Sequence, residues 1–118
     1  MVGTFHALVI DCEDIETTAK FYESLVGMQR VDTEDDWITI GDAPDRPALA
    51  FQKVEKLTPP DWPGSEHPQQ MHVDVRVDDL DDGEKEVLEL GARKQGYEQE
   101  SFRVYLDPAG HPFCLVTG

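Results

Sequence analysis

Basic residues are scarce in this chain: 10 lysines and arginines stand against 25 aspartates and glutamates, a formal net charge of −15. Nucleic-acid binding needs a basic footprint, so a nucleic-acid partner is not expected. An anionic membrane surface would repel the chain as well. Long apolar runs are also missing. No stretch approaches the ~18 apolar residues that would cross a bilayer. The first residues, Met1-Val2-Gly3-Thr4-Phe5-His6, lack the basic start and apolar core of a secretory signal. The expectation is a cytoplasmic protein without membrane contact. Cysteine is limited to Cys12 and Cys114. Two in a cytosolic chain are expected as free thiols rather than a disulfide, and no CxxC or other tight metal-ligand spacing occurs. The acid excess itself serves solubility or a salt-adapted source, or else draws in a cationic ligand.

What is present is organised around Met71-His72-Val73-Asp74-Val75-Arg76-Val77-Asp78-Asp79-Leu80. His72, Asp74, Arg76 and Asp78 alternate with Val73, Val75 and Val77. A period of two means a β-strand with one apolar and one polar face. The apolar face predicts a helix packed on it. The polar face carries an imidazole, a carboxylate and a guanidinium in a row. On the inner face of a curved sheet they would make a polar cavity.

With 118 residues and an apolar fraction of 39%, the chain suits a single domain with a modest core. Phe5 to Ile10 reads as a strand, with Leu8 and Ile10 on one face and Ala7 and Val9 on the other. Asp14 is a good N-cap for a helix carrying Ile15, Ala19, Tyr22, Leu25 and Val26, and Gly27 stands where a C-cap glycine belongs. Strands are predicted at 28–33, 37–41 and 48–54, with a turn cluster at 41–47. Residues 55–70 hold prolines at 59, 60, 63 and 68, the mark of a stiff, extended linker. Trp62 within it would anchor the linker by packing, or close over a pocket as a lid. His67 is expected exposed.

The second half repeats the first. After the strand at 71–77, Asp79 caps a helix over 80–90 with Leu80, Val87 and Leu88 as its stripe, and Gly91 ends it as Gly27 ended the other. Strands follow at 92–95, 102–106 and 112–116, with a tight turn at Asp107-Pro108-Ala109-Gly110-His111. The order is therefore βαβββ, a linker, and βαβββ. Module one covers about 1–54, the linker about 55–70 and module two about 71–118. Aligning Asp14 with Asp79 sets Ala7 on His72 and Leu8 on Val73. One such unit buries too little surface to stand alone.

Several elements occur in a telling order: Asp14-Ile15, Phe21-Tyr22, Leu25-Val26-Gly27, His72 to Leu80, Leu90-Gly91-Ala92, and Asp107-Pro108-Ala109-Gly110-His111-Pro112-Phe113. On them the chain resembles the vicinal oxygen chelate superfamily, which includes glyoxalase I, bleomycin-resistance proteins and extradiol dioxygenases. It is most similar to short glyoxalase-like proteins, which share the Pro-Gln-Gln before the His and the Phe-Cys near the end. The resemblance implies an α+β fold of two tandem βαβββ modules, their curved sheets forming a pocket, in a homodimer. Metal-dependent members hold a divalent ion through His and Glu on the first and last strand of each module, and the ion acts as a Lewis acid. Carried over position by position, His72 matches. Ala7 stands where module one would need a ligand, and His6 beside it points to the other face. The last strand of module one offers only Gln52, and Cys114 takes the usual Glu position. One of four ligands survives, so no metal and no other cofactor is expected.

Strand parity places His72, Asp74, Arg76 and Cys114 on the pocket face, together with Gln52, Ala7, and Trp37 and Tyr105 as aromatic walls. Apolar walls with a few convergent polar groups suit a small-molecule ligand. His72 is the candidate general base, tuned by Asp74 or Arg76, or else a structural histidine. Asp74 and Arg76 are expected to form an ion pair with one another. Cys114 is a small buried hydrophobe, or a nucleophile if a basic neighbour lowers its pKa. The expected function is binding of a small organic molecule, with turnover left open. The alternatives are bleomycin-resistance-type sequestration of a cationic molecule, a metal-dependent lyase, isomerase or dioxygenase with atypical ligands, and a vestigial pocket on a protein-association domain.

Overall fold

The computed structural model describes every residue except Pro63 and Ser65. The chain divides into two compact units, Met1–Leu57 and Thr58–Gly118. The first holds β1 (Leu8–Cys12), α1 (Ile15–Val26), β2 (Gln29–Thr33), β3 (Trp37–Ala43) and β4 (Arg46–Lys53). The second holds β5 (Val73–Arg76), α2 (Leu80–Glu89), β6 (Arg93–Gln99), β7 (Phe102–Leu106) and β8 (Pro112–Val116). Each unit is a four-stranded sheet, ordered β1-β4-β3-β2 in the first and β5-β8-β7-β6 in the second. In both, the first strand runs parallel to the last, and the other neighbours are antiparallel. The α+β architecture of two tandem βαβββ modules is thus present, with the repeat carried down to strand order.

In the first unit, the Asp14 carboxylate accepts the backbone N–H of Thr17 at 3.1 Å and starts α1. Gly27 ends the helix in the left-handed region at φ 69°, a conformation that only glycine reaches without strain. The buried face of α1 consists of Ile15, Thr18, Ala19, Phe21 and Tyr22. It packs on the sheet, where Tyr22 stacks against Phe51 with ring centroids 5.4 Å apart. Leu8 and Ile10 pair in register with Leu49 and Phe51, so these four side chains share the face turned to α1.

In the second unit, Asp79 accepts the N–H of Asp82 at 3.0 Å and caps α2. The stripe expected from Leu80, Val87 and Leu88 is narrower than that: Val87 and Gly83 are buried, while Leu88 is 42% exposed. Gly83 explains the difference. A Cβ there would lie 3.1 Å from Leu115 Cδ1 and 3.2 Å from Val77 Cγ1. The helix backbone therefore sits close on the sheet at Gly83, and Leu88 is turned out from under it.

Element limits depart from expectation where pairing, not residue type, sets the end. The first strand starts at Leu8, leaving Phe5 exposed. β3 and β4 pair out to Ala43 and Arg46, so most of the turn cluster expected at 41–47 is hairpin, with only Pro44 and Asp45 at the bend. β6 runs to Gln99 rather than Gln95, and its register with β7 shifts between Lys94 and Glu98.

The helix side of the second sheet carries a polar contact with a consequence for pH. Tyr105 Oη donates to Glu84 Oε1 at 2.9 Å, and Lys94 Nζ lies 3.3 Å from the same oxygen. The tyrosine hydrogen bond, followed by the lysine, holds the Glu84 carboxyl below its ordinary value of 4.5. A depressed carboxyl stabilises the fold above its unfolded pKa, and that contribution is lost as pH falls through the folded one. Wild type should therefore lose stability more steeply than Glu84→Gln when urea denaturation is compared between about pH 5 and pH 3. Parallel losses in the two proteins would show that Glu84 contributes nothing.

Candidate functional site

The face of the second sheet turned away from α2 is set by the pairing of β5 with β8. Asp74 is the register partner of Cys114, and Arg76 of Val116. Across β8, Cys114 pairs with Val104 and Val116 with Phe102. Partners directly opposite project to the same side. Asp74, Arg76, Cys114, Val104, Val116 and Phe102 therefore share one face, and His72, two residues before Asp74, joins them.

The polar end of this face is a compact cluster. His72 Nε2 lies 3.1 Å from Asp74 Oδ1. The ligating atoms of His72, Asp74 and Cys114 all lie within 4.8 Å of one another. His72 Nδ1 faces Gln69 Oε1 at 3.3 Å, so both ring nitrogens have an oxygen partner. The side chains of His72 and Asp74 are 28% and 57% exposed. Solvent reaches both, whereas Cys114 is buried.

Cys114 is not poised as a nucleophile. Burial, followed by the neighbouring Asp74 charge and a thiol hydrogen bond to it, pushes the thiol up to about 12. The thiolate is the reactive species, and burial together with the Asp74 carboxylate disfavours it here. The expected Asp74–Arg76 ion pair is also absent. Asp74 turns to His72, and among the described residues Arg76 makes no ion pair. Side chains two apart on a strand are ~6–7 Å apart at Cα, and here the imidazole makes the reach.

The apolar end was only partly foreseen. Trp62 leaves the linker and stacks on His72, ring centroids 4.7 Å apart and planes 27° apart. Its loop is closed where Asp61 N–H donates to His67 O at 2.7 Å and His67 N–H donates to Asp61 Oδ2 at 3.2 Å. Tyr97 meets Trp62 edge-on at 6.1 Å and Phe102 at 5.7 Å. An aromatic row thus runs His72, Trp62, Tyr97, Phe102. Phe102 was not among the expected walls, because the parity that set Tyr105 on the pocket face set Phe102 on the other. Tyr97 was not either, because it lies inside the register shift of β6.

Tyr105, expected as a pocket wall, belongs to the opposite face. It pairs with Phe113, stacks on it with centroids 5.7 Å apart and is fully buried towards α2. The remaining predicted residues lie in the first unit. Trp37 and Gln52 are register partners, and Gln52 also pairs with Asp11, so these three share a face. Trp37 Nε1–H donates to Thr39 Oγ1 at 2.9 Å. Ala7 precedes β1 with the parity of Val9 and Asp11.

Comparison with known proteins places this geometry in a family. The model of the glyoxalase-like domain matches residues 7–116. The chain belongs to that family. Solved structures of the wider vicinal oxygen chelate superfamily share the fold of this glyoxalase-like chain. The fosfomycin resistance protein FosX of Mesorhizobium loti is 20% identical over 100% of this chain and 93% of its own, with a TM-score of 0.69. FosX of Listeria monocytogenes is 12% identical over 100% and 95%, with a TM-score of 0.72. The lactoylglutathione lyase of Agrobacterium tumefaciens is 17% identical over 98% and 93%, with a TM-score of 0.64. No curated protein sequence matches the chain significantly.

The divalent ion of metal-dependent superfamily members can be tested against this glyoxalase-like chain by its donors. The first unit supplies a methyl at Ala7 and a neutral amide at Gln52. Neither replaces a His or a Glu as a ligand. The four-ligand set spread over both modules does not fit these residues.

Proposed function

We propose that the glyoxalase-like chain binds a small organic molecule on the face of its second sheet that lies away from α2. The observation that carries this reading is the stacking of Trp62 on His72, with Asp74 and Cys114 at the same end and Tyr97 and Phe102 beyond. An aromatic strip ending in a few convergent polar groups gives a ligand both area and orientation. The partly exposed His72 and Asp74 can exchange their contacts with solvent for contacts with a ligand. What the fosfomycin resistance proteins and the lyase act on stays with them, since at 20% identity or less they share the fold alone. Turnover is not part of the proposal. A homodimer in the cytoplasm remains part of it.

The test is a thermal-shift screen of small polar and aromatic compounds, repeated with His72→Ala and Trp62→Ala. Binders should lose about tenfold or more in affinity in both variants, which is about 1.4 kcal/mol. A set of binders indifferent to both changes would move the site elsewhere.

A second reading is favoured by charge: the net −15 and the exposed Asp74 carboxylate against His72, the ring on which Trp62 stacks, suit a cationic molecule. Affinity for such a ligand falls as ionic strength rises, whereas a neutral ligand is nearly indifferent to salt.

A further inference from the structure

The face that carries the aromatic row also holds two opposite charges that do not meet. Asp74 and Arg76 stand two residues apart on β5, yet the Asp74 carboxylate turns to His72 Nε2 at 3.1 Å. Arg76 has Asp78 two residues away on its other side. Among the described residues it still makes no ion pair, side-chain hydrogen bond or ring contact. We propose that this face binds a zwitterion with an aromatic body, an α-amino acid with an aryl side chain. Its carboxylate lies on Arg76 and its ammonium on Asp74. The proposal rests on the reading of this face as a small-molecule site, and it names the class of ligand.

Three features support this. The first is the pair of charges. The planar guanidinium of Arg76 has all its donors free, and its fork matches a carboxylate. Asp74 keeps 57% of its side chain exposed beside His72, so it stays open to an ammonium. Their Cα atoms are ~6–7 Å apart, and a head group with both charges on one carbon bridges the two side chains. The second is the field. A simple anion would approach against the net charge of −15, and a simple cation would meet Arg76. A zwitterion adds no net charge and satisfies both groups. The third is the length of the face. Arg76, Val116 and Phe102 lie in one register row across β5, β8 and β7. Two strand spacings separate the ends of that row, about 10 Å, which is the reach of an arylalanine from head group to ring tip. Val116 gives it a small apolar floor. Phe102 receives the ring together with Tyr97, which meets Phe102 edge-on at 5.7 Å and is 37% exposed.

The experiment is isothermal titration calorimetry of the full chain with L-tryptophan, tryptamine and indole-3-propionate. Tryptamine lacks the carboxylate, indole-3-propionate lacks the ammonium, and all three share the ring. L-tryptophan should bind at least about tenfold more tightly than either analogue, since each loses one charge-assisted contact. Arg76→Gln, a change at an exposed side chain without partners, should bring L-tryptophan down to the affinity of tryptamine and leave tryptamine no weaker than on wild type. Asp74→Asn should likewise equalise L-tryptophan and indole-3-propionate. Failure of L-tryptophan to bind would overturn the proposal. So would either analogue matching it on wild type, or an Arg76→Gln protein that still prefers L-tryptophan over tryptamine. Trp62→Ala separates this result from the reading beneath it. Analogues that match L-tryptophan on wild type and are lost in Trp62→Ala would strike out the zwitterion and leave the face as the site. Binding of all three that is indifferent to Trp62→Ala would remove the face itself.

Discussion

Phe113→Ala should destabilise the protein by about 3–5 kcal/mol, while Ala at the next residue, Cys114, should cost about 1 kcal/mol. The two residues are neighbours on β8 and both are buried, yet they project to opposite faces. Phe113 is fully buried and stacked on Tyr105 under α2. Its removal would leave a ring-sized cavity walled by a helix and a sheet that cannot collapse onto it. Cys114 is small and lies on the face away from α2, so its truncation removes one sulfur and little packing. For a chain of this size, the larger loss corresponds to a fall in melting temperature of roughly 10–20 °C. Denaturation of both variants by urea and by heat checks the contrast. Equal losses would mean that the two faces of the second sheet have been interchanged.

That contrast marks where the sequence was informative and where it was not. The helices were legible because their ends are written locally. Asp14 and Asp79 accept N–H groups three residues on, and Gly27 supplies the left-handed residue that stops α1. The alternation of His72, Asp74 and Arg76 with valines was legible for the same reason. A strand's two faces are set by parity, and parity survives whatever the strand pairs with. What parity does not fix is the register of a second strand against the first, and one residue of slip reverses every side chain. Tyr105 was lost this way. Its own alternation was plain, but the side on which it began depended on how the hairpin after Leu106 brought β7 against β8.

The site divides along the same line. His72 with Asp74 and Cys114 followed from parity along β5 and β8. The partnership inside the cluster did not. Asp74 had two candidates at equal sequence distance, His72 and Arg76, and the choice rests on side-chain direction, which no spacing records. Trp62 and Gln69 both come from the proline-rich linker, where neither helical nor strand periodicity applies. The composition named Trp62 as an anchor without naming what it would rest on. The register shift in β6 hid Tyr97, since parity fails across a bulge.

Asp107→Ala should cost about 2–4 kcal/mol, and Asp107→Asn less than about 1 kcal/mol. Asp107 is fully buried at the start of the tight turn that joins β7 to β8. Its Oδ1 accepts the N–H of Ala109 at 2.9 Å and the N–H of His111 at 3.0 Å. Its backbone closes the same turn: Asp107 N–H donates to His111 O and Gly110 N–H donates to Asp107 O, each at 2.9 Å. Alanine keeps the backbone bonds and leaves two N–H groups in a tight turn without their acceptor, which costs about 1–3 kcal/mol for each one that water cannot reach. Asparagine presents the same oxygen at the same reach. It should hold the turn, with the loss confined to the charge. This is the Asp-Pro-x-Gly element on which the family resemblance partly rests, and its work is structural. It fixes where β8 starts, and therefore which residue of β8 stands opposite Asp74. The prediction extends to the site. Asp107→Ala should weaken binding at His72 even under conditions where most of the variant is folded, because a turn that slips by one residue carries Cys114 to the helix side. Calorimetric stability and ligand affinity measured on both variants would separate the cases. An alanine variant that binds as wild type while folded would show that pairing along β5 and β8 holds the register without the turn.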